Sequence, residues 1–162
     1  MPGAAVLRTW QFARALQAAG YAVDVVVLPA EGIGHTGREI SSPTLLTTRR
    51  LAALNCTAIN SIQFHRALGA LQEIHNRKRY DALVAVGLTA AVLASRLAST
   101  LPMWFDLGDG PGMAEAQARC RLFGSDDGLK TAWARNRSAL RRGDRFSASS
   151  YKQMHALLGE LA

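Results

Sequence analysis

Two short apolar runs, separated by a segment of helical length, stand out in the middle of the chain. The runs cover residues 82–86 and 103–105, and small apolar residues fill most of positions 88–98 between them. Apolarity in both runs is continuous rather than alternating, which is typical of strands buried on both faces of a parallel sheet. The pattern therefore predicts a strand–helix–strand unit, with Gly87 at the first turn.

The rest of the chain divides into elements by the same criteria. Apolar residues at helical spacing predict helices over residues 4–19, 61–79, 113–123, 129–142 and 151–161. Apolar or β-branched runs predict strands over residues 21–28, 44–48 and 146–148, the second of which leads into a helix over residues 49–56. Glycine clusters predict loops over residues 30–42 and 107–112.

These elements place the chain in the α/β class, as a Rossmann-like domain with a mostly parallel sheet and helices on both faces. We expect the strands at residues 23–28, 83–86 and 103–105 to be neighbours in the centre of that sheet. Parallel sheets are normally built strand first, whereas this chain begins with a helix, so we expect the sheet to lack its first strand. A length of 162 residues predicts a single domain, residues 1–162.

Charge limits the classes of partner. The net charge is +7, and the excess is spread along the chain rather than gathered in a tail. Such a surface favours nucleotide phosphates, acidic lipid or nucleic acid, without choosing among them. Nucleic acid is disfavoured as a partner because the sequence has no basic strand interleaved with aromatic residues.

Cysteine usage and hydropathy bear on compartment and cofactors. Cys56 and Cys120 are too isolated for a disulfide framework or a metal site, so we predict reduced, buried cysteines and no bound metal. The start of the chain does not have the pattern of a signal peptide, and the longest nearly uncharged run is too short to span a bilayer. A soluble, cytoplasmic protein is the expectation.

Several sequence pieces occur in an order known from one group of enzymes. GYAVDVVV at residues 20–27 is a strand after a helix ending in Gly, and YDALVAVG at residues 80–87 follows a later helix. A strand ending in FD at Asp106 and the segment RRGDRFSASSYKQMHALLG at residues 141–159 come next. This order resembles the N-terminal half of GT-B glycosyltransferases, and is most similar to the family 4-like group of retaining enzymes, over nearly the whole chain.

The resemblance implies transfer of a sugar from a nucleotide-sugar donor to a sugar or lipid-linked acceptor, without a metal or other cofactor. The chain departs from the family in two ways. It begins inside what would be the Gly-rich loop after the family's first strand, and it has no counterpart of the donor-binding C-terminal domain, which usually carries a Glu-x7-Glu motif. We therefore expect an acceptor-side domain that is inactive as this fragment.

Asp106 falls on the family position at which a His or Asp faces the donor sugar, so the resemblance assigns it the catalytic role. A carboxylate at the carboxyl end of a strand, beside the amides of Gly108 and Gly110, can orient a sugar hydroxyl or balance charge at an anomeric centre. Asp109, in the same loop, is assigned to substrate binding. The alternative is that Asp106 or Asp109 only caps a helix or makes a turn.

Four further residues are assigned to substrate binding. Gly3 would lie where the family's loop approaches the donor phosphate, with Arg8 one helical turn on. Gly87 and Thr89 open a helix at the edge of the crevice, where free backbone amides bind an anion or a sugar hydroxyl. The alternatives are a flexible chain start at Gly3 and tight strand–helix packing at Gly87.

Two alternatives concern function as a whole. The basic helix at residues 130–142 could rest on anionic lipid, which would place the protein peripherally on a membrane; otherwise it is a solvated face with Trp133 in the core. The main rival to a transferase domain is a stand-alone nucleotide- or anion-binding Rossmann-like module without transferase activity.

Overall fold

The computed structural model of the chain describes residues 4–28, 46–51, 54–61, 63–107, 112–124 and 126–161. These residues group into two compact units, Met1–Arg79 and Tyr80–Ala162, and each unit is described by itself. The single domain expected over residues 1–162 stays a prediction.

The first unit builds a sheet around its last strand. Its elements are α1 (Ala4–Ala18), β1 (Asp24–Val27), β2 (Leu46–Leu51), β3 (Leu54–Ile59) and α2 (Phe64–Arg77). β3 lies between the other two strands, parallel to β1 and antiparallel to β2. Val25, Leu54 and Cys56 share one face of this sheet and form a buried cluster with Ala13 of α1, as expected for a helix that covers a sheet.

The helix predicted over residues 49–56 is wrong, because the described residues of this segment belong to two antiparallel strands. Arg49 to Leu51 end β2, and β3 begins at Leu54. Alanine, leucine and arginine favour helix locally, but pairing with a partner strand overrides that preference. Thr48 and Thr57 face each other across the pair, with their hydroxyl oxygens 3.0 Å apart, and such cross-strand pairs stabilise a sheet.

Asp24, the polar residue of the first strand, is held by hydrogen bonds to its side chain. Its register neighbour Asn55 donates a 3.0 Å hydrogen bond to Oδ1, and Lys78 Nζ donates to Oδ2 at 2.6 Å. Lys78 immediately follows α2, so the carboxylate ties the end of that helix to the edge of the sheet. A partly buried charge with such partners is compatible with a strand position.

The second unit contains the predicted strand–helix–strand arrangement. Its elements are β4 (Leu83–Val86), α3 (Leu88–Ser95), β5 (Met103–Asp106), α4 (Gly112–Phe123), α5 (Asp127–Arg142), β6 (Arg145–Ser147) and α6 (Tyr151–Leu161). The sheet has the order β4–β5–β6 and is parallel throughout. Phe105 and Met103 of the central strand are buried, as are four consecutive residues of α3.

The α/β class and the Rossmann-like, mostly parallel arrangement are confirmed, since three of the four described strand pairings are parallel. Residues 83–86 and 103–105 are neighbours, as predicted. The first strand differs from expectation, because β1 pairs with β3 and the described strands form two sheets of three. The neighbour of β1 is therefore β3, a strand that the sequence does not predict.

Candidate functional site

The carboxyl ends of β4 and β5 meet at one edge of the second sheet. Val86 and Asp106 are register partners, and the amide of Gly87 donates a 2.8 Å hydrogen bond to the backbone carbonyl of Asp106. The two positions that the sequence places at strand ends therefore lie side by side. Because ligands of open α/β sheets bind beyond the carboxyl ends of the strands, this edge is the candidate site.

The side chain of Asp106 is fully buried, at 0% exposure. Ser147, its register partner on β6, donates a hydrogen bond of 2.6 Å from Oγ to Asp106 Oδ1. The indole Nε1 of Trp104 in turn donates to Ser147 Oγ at 3.0 Å. Trp104 and Asp106 lie two residues apart on β5 and so share one face of the sheet, which completes a chain of polar side chains across two strands.

A carboxylate that faces a donor sugar has to be at least partly accessible, and that of Asp106 is not. Its backbone lies at the predicted edge, but its carboxylate is enclosed and hydrogen-bonded to Ser147. The physical reason is register: the parallel pairing places the serine hydroxyl directly beside the carboxylate. Buried carboxylates require such partners. A direct contact with substrate would therefore need a rearrangement that exposes the carboxylate.

Gly87 and Thr89 lie at the start of α3, as predicted. Gly87 precedes the helix with a positive φ of 86°, which glycine adopts without strain. The first amides of a helix have no partner within it, so they are available to a ligand. The hydroxyl of Thr89 accepts a 3.2 Å hydrogen bond from Arg135 Nη2 on α5, which brings a positive charge to the helix start.

Arg135 is the residue of this edge that sequence reasoning misses. It is one of several basic residues in a predicted helix, and nothing in its local sequence marks it. Its approach to Thr89 joins positions 46 residues apart, so only the packing of α5 on α3 reveals it.

The remaining predicted site residues are placed as follows. Arg8 lies on α1 in the first unit and is partly buried. Gly3 and Asp109 lie outside the described residues, as do Gly108 and Gly110. Their roles stay predictions.

A second feature of this unit is an open groove of about 430 Å³ where α5 passes the end of α3. It is lined by Arg96, Trp133, Ala134, Arg137, Ser138 and Arg141. Trp133 is 44% exposed, so the alternative that placed this residue in the core is wrong.

The acidic residue Asp126 lies just before the first turn of α5, where a hydrogen bond from Lys130 lowers the pKa of its carboxyl group.

Two further expectations concern chemistry and compartment. Cys56 and Cys120 are free, and Cys56 is buried as predicted, whereas Cys120 is only partly buried. Across the part of the chain that is described, no helix has both the length and the apolarity needed to cross a membrane.

Comparisons of this chain with models of protein families, with curated proteins and with solved structures found no match.

Proposed function

We propose that the chain is the acceptor-side domain of a sugar transferase that uses a nucleotide-sugar donor. The observation that carries this proposal is the hydrogen bond between Gly87 and the carbonyl of Asp106. It joins the start of a helix to a strand end at the edge where α/β sheets bind ligands. The order of the sequence motifs favours the same function.

In this proposal the start of α3 binds a sugar. Its free amides donate to a hydroxyl or phosphate oxygen. The hydroxyl of Thr89 accepts from Arg135 and keeps its own hydrogen for donation to a ligand oxygen. Arg135 adds a positive charge that favours an anionic donor group over a neutral one.

Two alternative roles for Asp106 are compatible with this proposal. As a catalytic residue it would have to emerge from its buried position before it could touch a sugar. As a positioning residue it acts where it lies, because it orients Ser147 and fixes the strand end that holds Gly87. Its complete burial favours the positioning role.

Amide NMR of the ¹⁵N-labelled chain tests the site directly. Titration with UDP-glucose, GDP-mannose and the two free sugars should shift the amides of Gly87, Leu88 and Thr89, more strongly for the nucleotide sugars. Thr89→Val keeps the β-branched shape and removes the hydroxyl, so it should weaken the response. Thr131→Val makes the same change at an exposed position of α5 and should leave the response unaltered.

A response that avoids residues 87–89, or none at millimolar ligand, would overturn the proposal. The burial of Asp106 favours a second candidate, a nucleotide- or anion-binding module without transferase activity, because this candidate needs no accessible carboxylate. The two functions predict different contributions of the sugar to affinity. If only the nucleotide is recognised, UDP alone should bind with the same affinity as UDP-glucose.

A further inference from the structure

We propose that the groove between α3 and α5 binds a nucleotide, with the phosphate held by Arg96, Arg137 and Arg141 and the base stacked on Trp133. Its phosphate end lies away from the edge at Gly87, and its binding of a nucleotide does not depend on the proposed transferase function.

The groove concentrates positive charge without acidic partners. Arg137 and Arg141 come from α5, while Arg96 ends α3 on the opposite wall. Among the described residues, none of these three guanidinium groups takes part in an ion pair. Like charges that converge repel one another, and a phosphate relieves that repulsion while accepting charge-assisted hydrogen bonds.

Helix geometry arranges the groove for a ligand with two different ends. Trp133, Arg137 and Arg141 follow one another at four-residue spacing, so they share one face of α5 at steps of roughly 6 Å. The aromatic ring therefore lies at one end of the row and the two guanidinium groups at the other. A nucleotide also has two different ends, because its planar base is joined through ribose to a charged phosphate.

The groove has the volume of a small-molecule site. Residues from two helices line it, and its volume of about 430 Å³ falls in the range of small-molecule sites. Trp133 is 44% exposed, which leaves ring surface for a base. Stacking on an aromatic side chain is a general way of holding bases.

The topology places the arginine end of this groove away from the strand ends that carry Gly87 and Asp106. α3 starts directly after β4 and α5 ends just before β6, so the ends of both helices lie toward the amino ends of the strands. Arg142 supports this placement, since it donates to the carbonyls of Ser99 and Leu101 ahead of β5. Arg96 and Arg141 lie at those same helix ends.

Calorimetric titration in a phosphate-free buffer tests the site with ATP, AMP, adenosine and inorganic phosphate. We expect ATP to bind more tightly than AMP, and both more tightly than adenosine or phosphate alone. Arg137→Gln should weaken ATP binding about tenfold, as loss of one charge-assisted contact does. Trp133→Leu should weaken ATP and AMP but leave inorganic phosphate unchanged.

Arg121→Gln provides the matched control, because it removes one exposed arginine from α4, outside the groove. It should bind ATP as the parent chain does, and circular dichroism of every variant verifies the fold. ¹⁵N NMR should place the ATP-induced shifts at residues 96 and 133–141 rather than at residues 87–89. This last result separates the groove from the sugar site.

Four results would overturn the proposal. They are no binding of ATP at millimolar concentration, equal loss in Arg121→Gln and Arg137→Gln, affinity for oligothymidylate that rises with length above that for ATP, and binding to phosphatidylserine vesicles that ATP does not compete. The third result would identify a single-stranded nucleic acid site, and the fourth a membrane surface.

Discussion

Ser147 donates a 2.6 Å hydrogen bond to the buried carboxylate of Asp106, from a neighbouring strand that is 41 residues further along the chain. The same hydroxyl oxygen accepts from the indole of Trp104. One serine therefore serves two partners. Its removal should disturb both.

The first prediction is that Ser147→Ala lowers the free energy of unfolding by about 1–3 kcal/mol, because it deprives a buried carboxylate of a donor and an indole of an acceptor. Urea denaturation followed by circular dichroism measures the change. Thr131→Ala, which removes an exposed hydroxyl from α5, should cost far less. If Ser147→Ala and Trp104→Phe prove additive in a double-mutant cycle, the two side chains are not coupled as described.

The second prediction concerns Gly143, which has little space for a side chain. A Cβ there would lie 2.6 Å from Phe146 Cζ and 2.8 Å from Phe105 Cδ2. Gly143→Ala should therefore destabilise the protein by about 1–3 kcal/mol, the usual range for overpacking. Gly128→Ala has open space within α5 and should be neutral or slightly stabilising. Equal thermal midpoints for the two variants would contradict the packing described.

The third prediction separates backbone conformation from space. A Cβ at Gly87 would meet no atom within 4 Å, yet the φ of this residue is +86°. Gly87→Ala should cost roughly 1–3 kcal/mol, because an L-residue is strained at this positive φ. Gly69→Ala, also in open space but within α2, should instead stabilise by roughly 0.5–1 kcal/mol. Thermal unfolding of both variants compares them, and a stable Gly87→Ala would refute the conformational argument.

The fourth prediction concerns the partners of Asp24. Asp24→Ala should destabilise by about 1 kcal/mol, since the variant loses hydrogen bonds to Asn55 and Lys78 together. Lys78→Ala should cost less, because this side chain is half exposed and surface ion pairs contribute little. Raising the salt concentration should reduce the effect of Lys78→Ala more than that of Asn55→Ala. A larger loss in Lys78→Ala than in Asp24→Ala would contradict this description.

Much of the fold can be predicted from the sequence because its signals are local. A serine cap and apolar residues at helical spacing predict the last helix over residues 151–161, which are its bounds in the structure. The predicted bounds of β4 and β5 agree with the structure within one residue at each end, because both strands are short apolar runs with clear boundaries. The prediction for residues 49–56 is wrong for the opposite reason, since their strands depend on pairing rather than on local preference.

The candidate site is predictable in position but not in detail. The strand ends at Gly87 and Asp106 follow from where the apolar runs stop. The burial of Asp106 does not, because the hydroxyl that bonds to it comes from a strand formed much later in the sequence. The groove, too, is only partly predictable from the sequence. The spacing of Trp133, Arg137 and Arg141 is visible in the sequence, whereas Arg96 joins them only through the packing of two helices.

The position of β6 also affects how this unit forms during synthesis. β5 obtains its second parallel neighbour only after α4 and α5 have been made, and at typical translation rates of about 5–20 residues per second the 41 residues from Asp106 to Ser147 take roughly 2–8 s. Until then one edge of β5 is unpaired, and an unpaired edge can pair with strands of other chains. Parallel pairing between distant strands is also slow to form. Folding of the second unit should therefore be limited by this late closure, and chaperone binding to the nascent chain should be strongest in that interval.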